Sequence, residues 1–200
     1  QDKFIGREIE TLTLSANHPS VIDIFGVLST PGRTFVIMPL VESDLAQRIQ
    51  DGPLAEDKVV PMLVQLLSAL EHVHGKGIVH RDIKPANLLL THDEKVLLAD
   101  FGFAKQLEEG EDSMTGVCGT KPYMSPELIK CVPYGRPADL WATGVVVYEL
   151  LHGRTAFCPD SSIDLRQVST GSSTPMEGDI RMHLDPYDKL ERESILIGEF

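Results

Sequence analysis

His80-Arg81-Asp82-Ile83-Lys84-Pro85-Ala86-Asn87 places a carboxylate, a cation and an amide close together, and a second carboxylate follows thirteen residues after Asn87 in Asp100-Phe101-Gly102. These residue types can handle phosphate oxygens. Phosphoryl transfer is mostly positioning plus charge neutralisation, so a site for it needs an acceptor base and a metal flanking the moving group, and loops on rigid strands can supply both. His-Arg-Asp alone reads as readily as a polar surface loop. The two motifs together, in this order, are far more specific.

Short strands must carry those loops. Gly77 to Val79, Asn87 to Leu90 and Val96 to Ala99 are apolar runs too short for helices, each flanked by polar turn residues. Before them, Glu56 to His74 carries Val59, Val60, Leu63, Leu66, Leu67, Leu70 and Val73 at helical spacing, with Pro61 near its start and Gly75 and Gly77 to end it. After them, Pro137 to His152 predicts a second long helix with Leu140, Trp141, Val145, Tyr148 and Leu151 as its buried stripe and Gly153 as its stop. Nearer the N-terminus, Arg7 to Leu14 predicts a short amphipathic helix ending before His18-Pro19. Val21 to Leu28 and Arg33 to Leu40 predict a hairpin turning at Ser29 to Gly32. Leu107 to Thr120 is acidic and reads as a solvated loop, and Ser169 to Gly178 has the composition of a linker.

Composition bounds the function. The 200 residues are 42% hydrophobic and 24% charged, the balance of one globular domain, and a net charge of −12 disfavours nucleic acid and anionic membrane as partners. The most apolar stretch, Gly144 to Leu151, contains Glu149 and is far short of a membrane span of ~20 residues. No signal peptide is read at the N-terminus. Cys118, Cys131 and Cys158 suit neither a disulfide framework nor a zinc site, so a reducing compartment, the cytoplasm, is expected.

With Ser125-Pro126-Glu127 and Ala138-Asp139-Leu140-Trp141 following in order, the chain from about Arg7 to Phe157 resembles a eukaryotic protein kinase of the serine/threonine type. The resemblance implies an α+β fold, a mostly helical C-lobe preceded by a partial β-rich N-lobe. Residues 1–38 would be the N-lobe remnant, 39–45 the hinge and 46–157 the C-lobe. It implies transfer of the γ-phosphate of ATP, with Mg2+, to a serine or threonine hydroxyl of a protein substrate. Asp82 then orients and deprotonates that hydroxyl, Lys84 neutralises charge on the moving group, and Asn87 and Asp100 hold the metal. Thr120 paired with Lys84 is the serine/threonine signature. Asp139 resembles the helix aspartate that holds the catalytic-loop backbone, the alternative being an acid favoured by the helix dipole. Details of the sequence look most like the Fused, ULK or NIMA-related branches.

The same resemblance marks out a nucleotide pocket. Met38 would be the gatekeeper, Pro39 and Val41 would offer backbone groups to adenine, and Leu89 would pack beneath the base. Met38 and Leu89 are otherwise core residues, with Met38 buried on either reading. Asp44 either reaches the ribose or caps a helix. Glu8, preferred over Glu10, resembles the helix glutamate that pairs with an ATP-positioning lysine. Arg81 beside Asp82 resembles kinases switched by an upstream activating kinase. Thr115 and then Ser113 are the candidate acceptors, if they are more than solvated loop residues. Cys118, with no cation near it in sequence, reads as an inert thiol.

Two departures stand out. No glycine-rich loop or preceding lysine is found before Glu8, Lys3 being too close, which implies truncation at the N-lobe and impaired catalysis. The alternative function is therefore a pseudokinase-like scaffold that binds proteins. Residues 158–200 read as a divergent or degenerate tail or as unrelated sequence, with Lys189 where an arginine would pair with Glu127.

Overall fold

The computed structural model describes residues 2–157 with the exception of 32 and 109. Its first helix, α1 (Asp2–Ser15), begins before the expected Arg7 and ends before His18-Pro19 as expected. Nothing upstream of Arg7 forbids a helix, since Gly6 costs only about 1 kcal/mol. The hairpin is shorter than expected. β1 (Gly26–Thr30) pairs antiparallel with β2 (Arg33–Ile37), and Thr30 lies opposite Arg33, so Ser29 and Thr30 belong to the strand rather than the turn. Val21 to Phe25 lies outside it. Leu98 N donates to Ser20 O and Leu98 O accepts from Ile22 N, which buries Val21 and Ile22 in the common core, where a hairpin edge could not put them.

A three-stranded antiparallel sheet carries the loops that hold the two motifs. Its order is β3 (Ser43–Asp44), β5 (Leu88–Leu90) and β6 (Val96–Leu98), with Leu89 opposite both Asp44 and Leu97. β4 (Ile78–Val79) pairs with β7 (Lys105–Gln106), a strand the sequence reading did not anticipate. Lys105 and Gln106 have no β signature of their own. Their pairing comes from the fully buried Ile78 and Val79 beside them.

One long helix packs on this sheet and a second packs on the first, with the short α4 (Pro126–Ile129) between them in the chain. α3 (Glu56–Gly75) has the expected extent and runs through Pro61 without a break. Its buried face is Val59, Met62, Leu66, Ala69, Leu70 and Val73, whereas Val60 and Leu67, expected inside, are 47% and 41% exposed. α5 (Pro137–His152) has the expected bounds, and Gly153 ends it at φ +68 with its N–H on Glu149 O. The buried stripe is corrected. Ala138, Asp139, Ala142, Thr143, Val145, Val146 and Leu150 face inward, while Leu140 and Trp141 face out and Trp141 stacks on Phe157 at 5.5 Å. The helix is apolar nearly all round, so periodicity could not say which side the core would take. Leu12 of α1 and Val21 share one core with α3, α5 and β6, which fixes the first helix to the body of the domain.

The acidic loop is only partly solvated. Met114 is buried and pairs with Tyr134 as an isolated bridge, and Arg136 Nη1 meets Asp112 Oδ1 at 3.2 Å. Cys158, Ser169 to Gly178 and Lys189 lie outside the described residues.

Candidate catalytic site

The loop from His80 to Asn87 joins β4 to β5 and is fixed from beneath by one buried carboxylate. Asp139 on α5, 1% exposed, accepts from His80 N through Oδ2 (2.9 Å) and from Arg81 N through Oδ1 (2.8 Å), and His74 Nε2 meets Oδ2 at 2.7 Å. This is the anchor role expected of it. Arg81 sits at φ +70, a left-handed conformation costing about 1 to 3 kcal/mol for a residue with a side chain, and the bond to Asp139 holds it there. His80 is fully buried. Its Nε2 donates to Ala99 O (3.0 Å) and its Nδ1 accepts from Asp82 N (3.3 Å), so the ring is neutral with its proton on Nε2, and burial holds its pKa below the usual imidazole value.

Asp82 stands on that platform with its side chain out of solvent. Thr120 Oγ1 donates to Oδ1 (2.7 Å), while Lys84 Nζ (2.6 Å) and Asn87 Nδ2 (3.1 Å) donate to Oδ2. Lys84 also donates to Thr120 Oγ1 (3.1 Å), and Asn87 to Asp82 O (2.8 Å). The expected pairing of Lys84 with Thr120 is therefore a closed triangle through Asp82. Thr120 reaches it because the preceding Gly119, at φ +103, lets its segment approach Arg81 O. A Cβ there would lie 2.5 Å from that oxygen.

Ala99 N donates to Asn87 O (3.0 Å), which sets Asp100 beside Asn87 at the end of the β5–β6 ladder. Asp100 is exposed, sits at φ +59, and its Oδ1 accepts from Gly102 N (3.2 Å). Both amide protons of Asn87 go to Asp82, so its amide oxygen is the atom that could hold a metal. One carboxylate and one amide suit Mg2+, which is commonly held by one or two carboxylates with phosphate and water completing the shell. Among the described residues no cluster of three or more His, Cys, Asp or Glu could hold a metal alone.

Glu8 of α1 is half-buried, with Oε2 3.8 Å from where a Cβ on Gly102 would lie, while Glu10 faces solvent. Burial and then the charge of Asp100 raise the Glu8 pKa. At the expected hinge, Pro39 and Val41 are half-buried between β2 and β3, and Leu89 packs against the core. Met38 corrects the expectation of burial. It is 44% exposed, as are its neighbours Ile37 and Phe35 to a similar degree, because no further strand lies along the β1–β2 hairpin among the described residues. Asp44 caps α2 (Leu45–Gln50) by accepting from Gln47 N (2.9 Å).

An open cavity of about 660 Å3 adjoins Lys84 and Thr120 and is lined also by Gln50, Tyr123, Glu149 and His152. Tyr123 Oη donates to Glu149 Oε2 (2.6 Å). This pair was not anticipated, although Glu149 is the lone charge in the apolar run of α5. Arg81, expected to await a phosphate, instead donates to Phe103 O (2.6 Å) and Tyr134 Oη (3.1 Å). Tyr134 is pushed up to about 12 by burial. The Cys118 thiol lies 3.8 Å from Tyr134 Oη and does have a cation near it, Arg81, yet burial outweighs that pull and raises its pKa. The expected inertness follows from burial, not from the absence of a cation.

The profile of the protein kinase domain matches residues 1–194. The chain belongs to the protein kinase family. It is 38% identical over 160 residues to serine/threonine-protein kinase 36 of Pongo abelii, an alignment covering 80% of this chain and 12% of that protein. Sperm motility kinase 2B of Mus musculus is 39% identical over 168 residues, covering 82% and 34%. A probable myosin light chain kinase of Dictyostelium discoideum is 36% identical over 157 residues, covering 76% and 50%. The chain thus spans half or less of the length of these curated relatives. As a kinase domain its α+β architecture of small sheets on long helices is accounted for, and no helix among the described residues is long and apolar enough to cross a membrane.

Proposed function

We propose that this domain transfers the γ-phosphate of ATP to a serine or threonine hydroxyl of a protein. The observation that carries the reading is the Asp82 carboxylate, buried yet bonded by Thr120, Lys84 and Asn87, beside an open cavity. Asp82 accepts the proton of the incoming hydroxyl, and Lys84, already within reach, balances the charge that develops on the transferred group. Bound Mg2+, held by Asn87 and Asp100, would supply neutralisation of the phosphate oxygens. Thr120 fixes the carboxylate against rotation and admits the acceptor from the cavity side. Adenine would lie between the 38–41 segment and Leu89, with Asp44 turned to the ribose only if it gives up its cap. Exposed Thr115 and Ser113 are sites an upstream kinase could modify, and Arg81 would then exchange Phe103 O and Tyr134 Oη for phosphate. We place the protein in the cytoplasm.

A scaffold would have no need of three polar side chains converging on one carboxylate, which favours the enzyme over the pseudokinase alternative. The test separates binding from turnover. ATP with Mg2+ should raise the Tm of the chain, and Asp100→Asn should abolish the Mg2+-dependent part. Asp82→Asn should leave that shift in place and lower phosphate transfer to a basic protein substrate by at least about a hundredfold. Equal transfer by wild type and Asp82→Asn would sink the assignment.

A further inference from the structure

The side chains of His72 on α3 and of its C-cap residue Lys76 hold the end of α1. His72 Nε2 donates to the carbonyls of Ser15 (3.2 Å) and Ala16 (3.3 Å), and Lys76 Nζ donates to Leu14 O (2.5 Å). A helix C-terminus leaves such carbonyls without intrahelical partners, and α1 has no basic residue in its own last turn. The support is rigid, because Ala69 and Val73 of α3 are fully buried.

His18, just past α1, stacks on His72 with ring centroids 4.9 Å apart and planes 30° apart. Its Nδ1 accepts from Ser20 N (3.1 Å), so the proton of the neutral ring lies on Nε2, which faces Ser68 Oγ of α3 (3.1 Å). A second proton can go only to Nδ1. There it would point at the Ser20 N–H, a donor against a donor. The groups around the pair offer little compensation: neither His72 of α3 nor Lys76 at its C-cap carries a negative charge. The carboxylate in the segment after α1, Asp23, accepts from Asn17 N (3.5 Å). Burial, and then the proximity of His72, lower the His18 pKa.

We propose that the stacked His18–His72 pair is a latch that positions α1, and Glu8 with it, closed while His18 is neutral and opened when His18 takes a second proton. Glu8 lies seven residues from Ser15, about 10 Å along the helix, so a release at the C-terminal end is felt at Gly102. His18 and His72 are positioning residues and touch no substrate. The latch goes beyond the phosphotransfer reading and stands whatever Glu8 does in that chemistry.

Hydrogen exchange of the α1 amides in the 200-residue chain, corrected for intrinsic rates and referenced to α3, tests it between about pH 7.5 and about pH 5.5. Protection of α1 should fall about tenfold relative to α3 on acidification. His18→Gln, whose amide can accept from Ser20 and donate to Ser68 but cannot gain a proton, should hold that ratio within about twofold. His72→Phe, which keeps a ring and loses the donor, should show weak α1 protection at both pH values. A parallel loss in α1 and α3, or an unchanged drop in His18→Gln, overturns the latch. Should either variant lose α3 protection, wild-type imidazole titration by NMR decides: the His18 midpoint must lie below that of exposed His92 and coincide with the α1 transition, and any other result overturns the proposal.

Discussion

Asp139 shows how one buried side chain sets a loop. Its two oxygens receive the N–H groups of consecutive residues, His80 and Arg81, and so fix the peptide at which the chain turns through a left-handed conformation toward Asp82. The charge matters as much as the shape, because a carboxylate accepts on both oxygens and an amide on only one. Asp139→Asn should therefore set an NH2 against one backbone N–H and leave a buried donor unsatisfied. The expected cost is about 2 to 3 kcal/mol in urea unfolding, together with a fall in kcat as Asp82 loses its platform. A variant as stable as wild type would show that the loop holds its own conformation. The motif Ala138-Asp139-Leu140-Trp141 made this residue legible in the sequence. Tyr134 and Glu149 were less so, because each acts through a partner distant along the chain, Arg81 and Tyr123, that no local pattern names.

Elements were legible where one periodicity dominated and illegible where context chose between equals. α3 and α5 have the expected lengths because Gly153 and the apolar spacing act locally, but the buried side of α5 is decided by what packs on it. β7 was missed for the same reason, its pairing being a property of β4. The segment from Cys118 to Tyr123 lies between these cases. Its motif was recognisable, yet only the fold brings Gly119 against Arg81 O, so close that any Cβ requires the segment to move. Gly119→Ala should accordingly push Thr120 away from Asp82. Because the segment is half-buried and makes no part of the main core, Tm should fall modestly, while phosphate transfer should fall about tenfold or more. A large loss of Tm with unchanged specific activity would mean instead that the segment stabilises the fold and leaves Asp82 indifferent.

At the scale of the whole domain, titration of a few buried or half-buried groups sets how stability varies with pH. His80 and His18 have lowered folded pKa values, so their contribution is present above the ordinary value of 6.5 and is lost as pH falls below it, when the unfolded chain takes up protons that the fold excludes. Glu8 works in the opposite sense. Its folded pKa is raised above 4.5, so its contribution is present below that value and is lost as pH rises through the folded pKa, when a half-buried charge faces Asp100. The two effects oppose each other, since acidification below 6.5 costs the histidines while acidification toward 4.5 relieves the glutamate. Glu8→Gln removes one side of this balance. In buffer containing EDTA, the variant should be more stable than wild type near neutrality, should lose that advantage as pH falls, and should show the steeper decline in Tm on acidification. If it is instead less stable at neutral pH, Glu8 is held there by a favourable partner, and α1 gains rather than loses by carrying a carboxylate beside Gly102. A gain in Tm accompanied by weaker ATP-dependent activity would be the pattern of a residue kept for chemistry at the expense of stability.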